Sequence, residues 1–286
     1  MLISIIIVNW NVKTLLEKCL DSIARHGQGV DYEIFVVDNA SSDGSQEYLR
    51  TISADSRRKI SIILNKENLG FAKANNLAIR QAKGDFLFLL NPDTEIKENT
   101  LNGLVGAMKR HPKAGLVGGR IVGVDGKLQP SVRRFPTLSS QLGHLFKLHH
   151  FFPFLPPFKK YFYYDFDYTK EQEVDQLMGS FFFLRREAIE DIGLMDEGFF
   201  IWFEEVDYCR RLQNAGWHNF YTPSAEIMHY GGQSFRQVFS ASKQRIFNQS
   251  ALYFFQKHKP AYQGLILKLV NPIGLFLVYL GGIFKK

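Results

Sequence analysis

The sequence predicts an α/β fold: a central, mostly parallel sheet flanked by helices, followed by a C-terminal helical and apolar tail. Three observations carry that prediction. Residues 86–90 (FLFLL) form an unbroken apolar run that stops at Asn91-Pro92-Asp93-Thr94. A short continuous run closed by a turn signal suits a strand buried on both faces. Upstream, strand-like and helix-like stretches alternate with short connections, as in successive βαβ units. Downstream, residues 204–215 open with three carboxylates and meet Gly216, the start and stop pattern of a helix.

Taken in order, residues 3–8 (ISIIIV) read as the first buried strand, ending at Asn9-Trp10-Asn11. Leu15, Leu16, Cys19, Leu20 and Ile23 then recur near a helical period. Residues 33–37 form a second strand closed by Asp38, and the turn 39–44 leads to a helix from Ser45. Residues 60–64 are a third strand, and Asn68-Leu69-Gly70-Phe71 opens a helix over 72–82. After the central strand, a helix over 99–110 stops before Pro112, and residues 114–120 return as a strand. Asp125-Gly126 marks a hairpin turn. Residues 142–168 are crowded with Phe, Tyr, Pro, His and Lys without a period. They read as a long loop or short helices on the active-site side. Residues 176–185 are strand-like, Ala188, Ile189 and Ile192 mark a short helix, and residues 217–221 a late strand. A loop at 229–234 and a helix over 240–257 follow.

The central strand must end at Pro92, which cannot donate to a ladder. Asn91 and Asp93 therefore reach the carboxyl edge of the sheet, where ligands sit in open α/β folds. Asp93 is there either a helix cap or a hard oxygen ligand for a divalent cation shared with substrate phosphates. Asp38 ends the second strand. It would accept from a ribose hydroxyl or base N–H, or from its own turn. The Asn68–Phe71 turn can bring backbone close to a nucleotide and aim helix N–H groups at an anion. It matches neither the dinucleotide glycine fingerprint nor the ATPase phosphate loop. Glu204, Glu205 and Asp207 stand beside Trp202 and Phe203. They are either a favourable acidic first turn or a general base held at raised pKa by apolar walls. His229 precedes two glycines and offers a second ligand to the ion at Asp93.

A chain of 286 residues holds one large α/β domain or two small ones. The net charge of +7 suits nucleic acid, an anionic membrane surface or phosphorylated substrates. No RNA-binding aromatic motif or helix-turn-helix pattern accompanies it, so nucleic acid is not an expected partner. Cys19 and Cys209 lie far apart, without disulfide framework or zinc spacing. The first residues lack a basic stretch and cleavage site, which places the domain in the cytosol. Residues 264–284 are mostly apolar but hold Lys268, Asn271 and Pro272, and Lys285-Lys286 follow. A spanning helix needs about 20 apolar residues. The tail therefore reads as an interfacial or re-entrant anchor on an anionic membrane, helped by the aromatic 142–168 region, with a core helix followed by a tail as the alternative.

In this order the motifs resemble the inverting glycosyltransferases of family 2, which have the GT-A fold, and above all their bacterial rhamnosyltransferase-type members. VNWN at 8–11, VVDNASSDGS at 36–45 and NLGFAKANNLAI at 68–79 resemble the donor-nucleotide half. LLNPDT at 89–94 resembles the metal motif, residues 179–217 the acceptor and catalytic half, and HYGGQS at 229–234 the late metal-binding loop. The resemblance implies a glycosyltransferase domain over 1–235, with a nucleotide-sugar half to 120 and an acceptor half from 121, then a helix and membrane-associating tail over 236–286. It implies donor-nucleotide contacts at Val8, Asn9, Asp38, Asn68, Gly70, Phe71, Asn75 and Asn91. It implies a divalent metal, Mg2+ or Mn2+, at Asp93 and His229, and Glu205 as base with Glu204, Asp207 and Trp202 toward the acceptor. Two departures stand out. Asn91 takes the first place of the usual Asp-x-Asp, and Glu204-Glu205 replaces a pair that ends in Asp. Neighbours on a helix point about 100° apart, so Glu204 and Glu205 are not expected to face one hydroxyl. Asp207 is expected to bind acceptor hydroxyls or hold the loop.

The implied donor is dTDP-rhamnose, with UDP-hexoses next. The implied acceptor is a saccharide or lipid-linked hydroxyl in cell-surface polysaccharide synthesis, met at the inner face of the cytoplasmic membrane. The competing readings are a sugar-phosphate nucleotidyltransferase, whose basic glycine-rich signature residues 4–13 lack, and a catalytically dead scaffold.

Overall fold

A computed structural model describes residues 1–53, 60–233 and 240–283. Ser234, the boundary expected at 235 and residues 284–286 lie outside that description. The strands are β1 (Leu2–Asn9), β2 (Asp31–Asp38), β3 (Ile60–Leu64), β4 (Phe86–Leu90), β5 (Thr94–Ile96), β6 (Ala114–Val122), β7 (Val132–Arg133), β8 (Gln172–Val174), β9 (Gln176–Leu177), β10 (Phe181–Arg185) and β11 (His218–His229). Nine form one sheet in the order β3-β2-β1-β4-β10-β6-β11-β5, with β8 also on β11. β3, β2, β1 and β4 run parallel, and β6 and β11 share their direction. β10 runs against β4 and β6, and β5 and β8 run against β11. The expected mostly parallel sheet is thus parallel throughout its first half and mixed in its second.

The sheet is covered on both faces, which is why its central strands read as unbroken apolar runs. Successive side chains alternate between faces. Ile3, Ile5, Ile7, Phe86, Phe88 and Leu90 enter the core shared with α1 (Lys13–His26) and α4 (Thr100–Arg110). Ile6, Leu87 and Leu89 enter the opposite core, shared with α3 (Phe71–Ile79), α8 (Arg186–Ile192) and α9 (Glu204–Asn214). The register sets Asn9 beside Asp38 and Ile7 beside Leu90, so the loops after β1, β2 and β4 open at one edge. The remaining helix of the first half is α2 (Ser45–Ser53), and the aromatic stretch forms α5 (Leu138–Leu145), α6 (Leu148–Phe151) and α7 (Pro156–Phe162).

Two expected strands differ in extent. The run 176–185 is split into β9, which pairs with β7, and β10. A turn separates them, with the Phe181 N–H donating to the Met178 carbonyl at 3.2 Å. The late strand continues to His229 through a register shift between Thr222 and Glu226. Pro223 lies in that irregular stretch, where a missing N–H is tolerated.

A third core, with Phe199, Phe203, Val206, Phe254, Phe255 and Leu267, seats the long helix Ser240–His258 and the terminal helix Ala261–Ile283 against the start of α9. Asp207 fastens this junction. Its fully buried carboxylate meets Arg211 Nε at 2.8 Å, Lys257 Nζ at 2.7 Å and His258 Nε2 at 2.7 Å. Burial pushes its pKa up, but His258, Lys257 and Arg211 outweigh burial and hold it at about 2. Among the described residues no helix is long and apolar enough to cross a membrane.

Removing one partner from a buried ion cluster typically costs about 3–5 kcal/mol. Asp207→Asn is therefore expected to lower stability by that order in denaturant unfolding at pH 7. Because the folded pKa is depressed, the wild-type contribution is present above the ordinary Asp value and fades as pH falls toward about 2. The gap between variant and wild type should shrink over that acid range.

Candidate active site

Two adjoining cavities open at the carboxyl edge of β1 and β4. The first has a volume of about 350 Å³ and is lined by Val8, Asn68, Gly70, Phe71, Asn91 and Asp93, all expected from sequence. Trp10, Asn39 and Phe200 also line it and were not singled out by sequence. The signal for Trp10 and Asn39 lies in their places just past strand ends. Gly70 has φ +81°, and a Cβ there would lie 2.3 Å from the Phe200 carbonyl oxygen. Only glycine fits this close approach. The Phe71 N–H donates to that oxygen at 2.7 Å, and the Gly70 N–H donates to Asn68 Oδ1 at 2.9 Å. Asn39 Nδ2 donates to the Gly70 carbonyl at 3.2 Å.

Three expected nucleotide contacts do not line this cavity. Asp38 is fully buried, and its carboxylate accepts from Asn9 Nδ2, the Ser41 N–H and Gln46 Nε2, each at 2.9 Å. It is a turn carboxylate held by three donors, and Asn9 is one of them. Asn75 Nδ2 donates to the Phe71 carbonyl at 2.9 Å, inside its own helix. These residues shape the wall from behind.

The second cavity, about 360 Å³, is lined by Glu204, Glu205 and His229, together with Ser131, Arg133 and Ser180. Sequence reasoning missed the last three, because nothing local marks them. Glu204 Oε2, Glu205 Oε2, His229 Nε2, Ser131 Oγ and Ser180 Oγ are all buried without a hydrogen-bond partner. Buried polar atoms are ordinarily paired, so this concentration marks a place for a polar ligand. Both glutamates reach one cavity, contrary to the expectation from helical spacing. α9 begins only at Glu204, after Trp202 and Phe203 at φ +63° and +69°. Two adjacent left-handed residues with side chains cost roughly 1–2 kcal/mol each. Burial of Phe203 in the third core offsets that cost, and Trp202 is left lining both cavities.

Burial raises the Glu204 pKa well above the ordinary glutamate value, and the neighbouring Glu205 charge raises it further. Burial also raises Glu205, against a smaller opposing pull from Arg133 and nearby backbone N–H groups. Asp207 lines neither cavity. Of its two expected roles, acceptor contact or holding the loop, its buried contacts with Arg211, Lys257 and His258 fit the second.

Phe71, Asn91, Ile201, Trp202 and Gly232 line both cavities and form the wall between them. Asp93 faces the first and His229 the second. The two meet because Thr94 pairs with His229 in the β5–β11 ladder. His229 Nδ1 lies 3.0 Å from Gln129 Oε1, while Gln129 Nε2 donates to the His229 carbonyl at 3.1 Å. An amide oxygen only accepts, so Nδ1 carries a proton and Nε2 points to Asp93. Nε2 stands 3.5 Å from Asp93 Oδ1. A ring nitrogen and a carboxylate oxygen set this close can share a proton, and are the donor types that hold a divalent cation. Burial raises the Asp93 pKa, but His229 and the Gln233 N–H, which donates to Oδ2 at 3.1 Å, outweigh it and keep the carboxylate ionised. Among the described residues no cluster of three or more His, Cys, Asp or Glu could hold a metal, so this pair would need ligands from substrate or water.

Comparison with known proteins places this geometry in context. The sequence model of Glycosyl transferase family 2 matches residues 4–193. The chain is 29% identical over 214 residues to an N-acetylglucosaminyl-diphospho-decaprenol L-rhamnosyltransferase of Mycobacterium tuberculosis, covering 70% of this chain and 67% of that one. It is 27% identical over 239 residues to rhamnosyltransferase WbbL of Escherichia coli, covering 72% and 86%. A mannosyltransferase from Pyrobaculum calidifontis, solved with GDP-Man and Mn2+, shares the fold with TM-score 0.59 and 18% identity, over 96% of this chain and 71% of that one. GalNAc-T7, solved with UDP, GalNAc and Mn2+, does so with TM-score 0.61 and 15% identity, over 88% of this chain and about half, 51%, of that one.

A folded-state carboxyl with raised pKa binds its proton where the unfolded chain has lost it. Stability then falls as pH rises from the ordinary glutamate value through the raised one. Glu204→Gln removes that proton site. It is expected to raise Tm relative to wild type at pH 8 and to show a smaller gain at pH 4, in thermal melts at matched ionic strength.

Proposed function

We propose, since the chain belongs to glycosyl transferase family 2, that it moves a sugar from a nucleotide-diphospho-sugar to a hydroxyl of a saccharide or lipid-linked acceptor, inverting the anomeric carbon. One observation carries the reading: two cavities share a wall, with Asp93 on one side and the Glu204–Glu205 carboxyls on the other. The first cavity takes the nucleotide diphosphate and the second the acceptor. The sugar crosses at the wall, beside Asn91 and Trp202. The rhamnosyltransferase names of two relatives favour a rhamnosyl donor, dTDP-rhamnose first and UDP-hexoses next.

In the step itself, the acceptor hydroxyl gives its proton to Glu205 as its oxygen forms a bond to the anomeric carbon. The bond from that carbon to the diphosphate oxygen breaks on the opposite face, and the nucleotide leaves with the electron pair. Trp202 and the buried serines orient the acceptor, and apolar surroundings keep water from competing. Asp93 and His229 would hold a divalent cation, Mg2+ or Mn2+, whose chemistry when bound is to neutralise charge on the leaving phosphates. The enzyme would work in the cytoplasm, peripheral to the inner face of the membrane.

Glu205→Gln keeps shape and removes basicity. It is expected to bind donor normally and to slow transfer by ~10²–10⁴, the usual worth of a placed general base. Single-turnover release of nucleoside diphosphate measures this. Near-normal chemistry in Glu205→Gln with chemistry lost in Glu204→Gln would move the base to Glu204, and no release from wild type with any nucleotide sugar would favour a binding protein.

A further inference from the structure

The second cavity holds two carboxyls and supports their charge unequally. Glu204 is 5% exposed, and its Oε2 is buried without a partner, as is Glu205 Oε2. The two residues are adjacent, so two anions would stand side by side in one enclosed place. Carboxyls buried together do not both ionise, and one keeps its proton. What surrounds each decides which. The N–H groups of Phe203, Glu205 and Val206, at the start of α9, and the Arg133 guanidinium favour charge on Glu205. Glu204 draws such support from its own N–H, while the Glu205 charge opposes it. His144 and His229 also line the cavity. Burial, then the neighbouring His149, Arg133, His150 and Lys147, push the His144 pKa down to about 3, so it brings no charge to Glu204 at pH 7. His229 Nε2 is turned to Asp93. Along α9, burial pushes the Cys209 thiol up and keeps it neutral, and Asp207 is matched by Arg211, Lys257 and His258. The Glu205 stem packs over Gly179 beside Phe71, which lines both cavities. A Cβ on Gly179 would lie 3.4 Å from Glu205 Cβ and 4.0 Å from the Phe71 ring.

Resting on the glycosyltransfer reading above, we propose that Glu204 enters the reaction as a neutral carboxylic acid and donates a hydrogen bond to an acceptor oxygen beside the hydroxyl that Glu205 deprotonates. The pair then carries one proton, on Glu204, and one charge, on Glu205. The two roles are complementary. A carboxylate only accepts, whereas a protonated carboxyl supplies a donor. The cavity thus grips the acceptor with a donor and an acceptor at neighbouring places. Ser131 and Ser180, each 3% exposed with an unpartnered hydroxyl, add polar contacts in the same cavity. During transfer the proton of the reacting hydroxyl passes to Glu205, and Glu204 keeps its own. Both carboxyls are then neutral, so two like charges never stand together in the buried site at any stage.

Infrared difference spectra at pH 7 locate the proton without any substrate. The carbonyl stretch of a protonated carboxyl is expected in wild type, lost in Glu204→Gln and kept in Glu205→Gln. Its absence from wild type, or its loss in Glu205→Gln alone, overturns the proposal. Transfer from dTDP-rhamnose to octyl N-acetylglucosaminide then reads the role. Glu204→Leu removes the donor and should raise the acceptor KM roughly 10–100-fold, the scale of a hydrogen bond lost in a buried place. Glu204→Gln keeps a donor and cannot ionise. It should recover most of that loss, and the fall in rate that wild type shows as Glu204 ionises at alkaline pH should vanish. A loss in Glu204→Gln as large as in Glu204→Leu overturns the donor role. So does an acid limb that moves down in Glu204→Gln, because Glu204 would then have been charged beside Glu205. No transfer by wild type would instead strike the glycosyltransfer reading with these sugars, and the infrared band would decide the proton by itself.

Discussion

A three-rung antiparallel ladder between β5 and β11 is the constraint on which the candidate site depends. Ile227, Met228 and His229 face Ile96, Glu95 and Thr94. The ladder joins residues more than a hundred positions apart and sets an imidazole against the carboxylate that ends the central strand. Two further bonds lock the corner. The Tyr230 N–H donates to the Asp93 carbonyl at 2.9 Å, and the Tyr230 hydroxyl to Glu95 Oε1 at 2.6 Å. Gln129 then orients the ring. The approach of Nε2 to Asp93 is thus a consequence of sheet register and of one amide, not of the loop glycines alone.

The second constraint is the wall. Gly70 lets the Phe200 carbonyl approach the start of α3, and Trp202 and Phe203 turn the chain through a left-handed corner before α9. The same corner fills the third core, closes the first cavity and aims two carboxyls into the second. Asp207, one position beyond Val206, clamps the helix Ser240–His258 to this corner through Lys257 and His258. The terminal helices therefore support the glutamates from behind, linking distant packing to the electrostatics of the site.

Much of this was legible in the sequence because it rests on local patterns. The runs at β1 and β4 announce strands buried on both faces, and Gly70 announces a tight approach. Asp93 and His229 each stand at a turn signal and do meet. What stayed hidden depends on tertiary contact. β5 is too short for any period to show. β11 reads as ended because Pro223 interrupts it, although the ladder resumes past the irregularity. For Asp38 and Asp207 the sequence leaves a ligand role and a structural role both open, and only their partners, some of them 51 residues away, favour the structural one. Ser131, Arg133 and Ser180 acquire a role only when β7, β9 and β10 bring them to one cavity.

Under the proposed function, the sheet register would make Asp93 and His229 one cation site at the wall between the cavities. Crystals grown with Mn2+ and a nucleoside diphosphate, measured at the manganese absorption edge, test it most directly. A single anomalous peak ligated by Asp93 and His229 is expected, with the diphosphate on its other side and the nucleoside in the cavity behind Gly70. A nucleotide bound in that cavity with no peak at the pair, or a peak held by other residues, would contradict it.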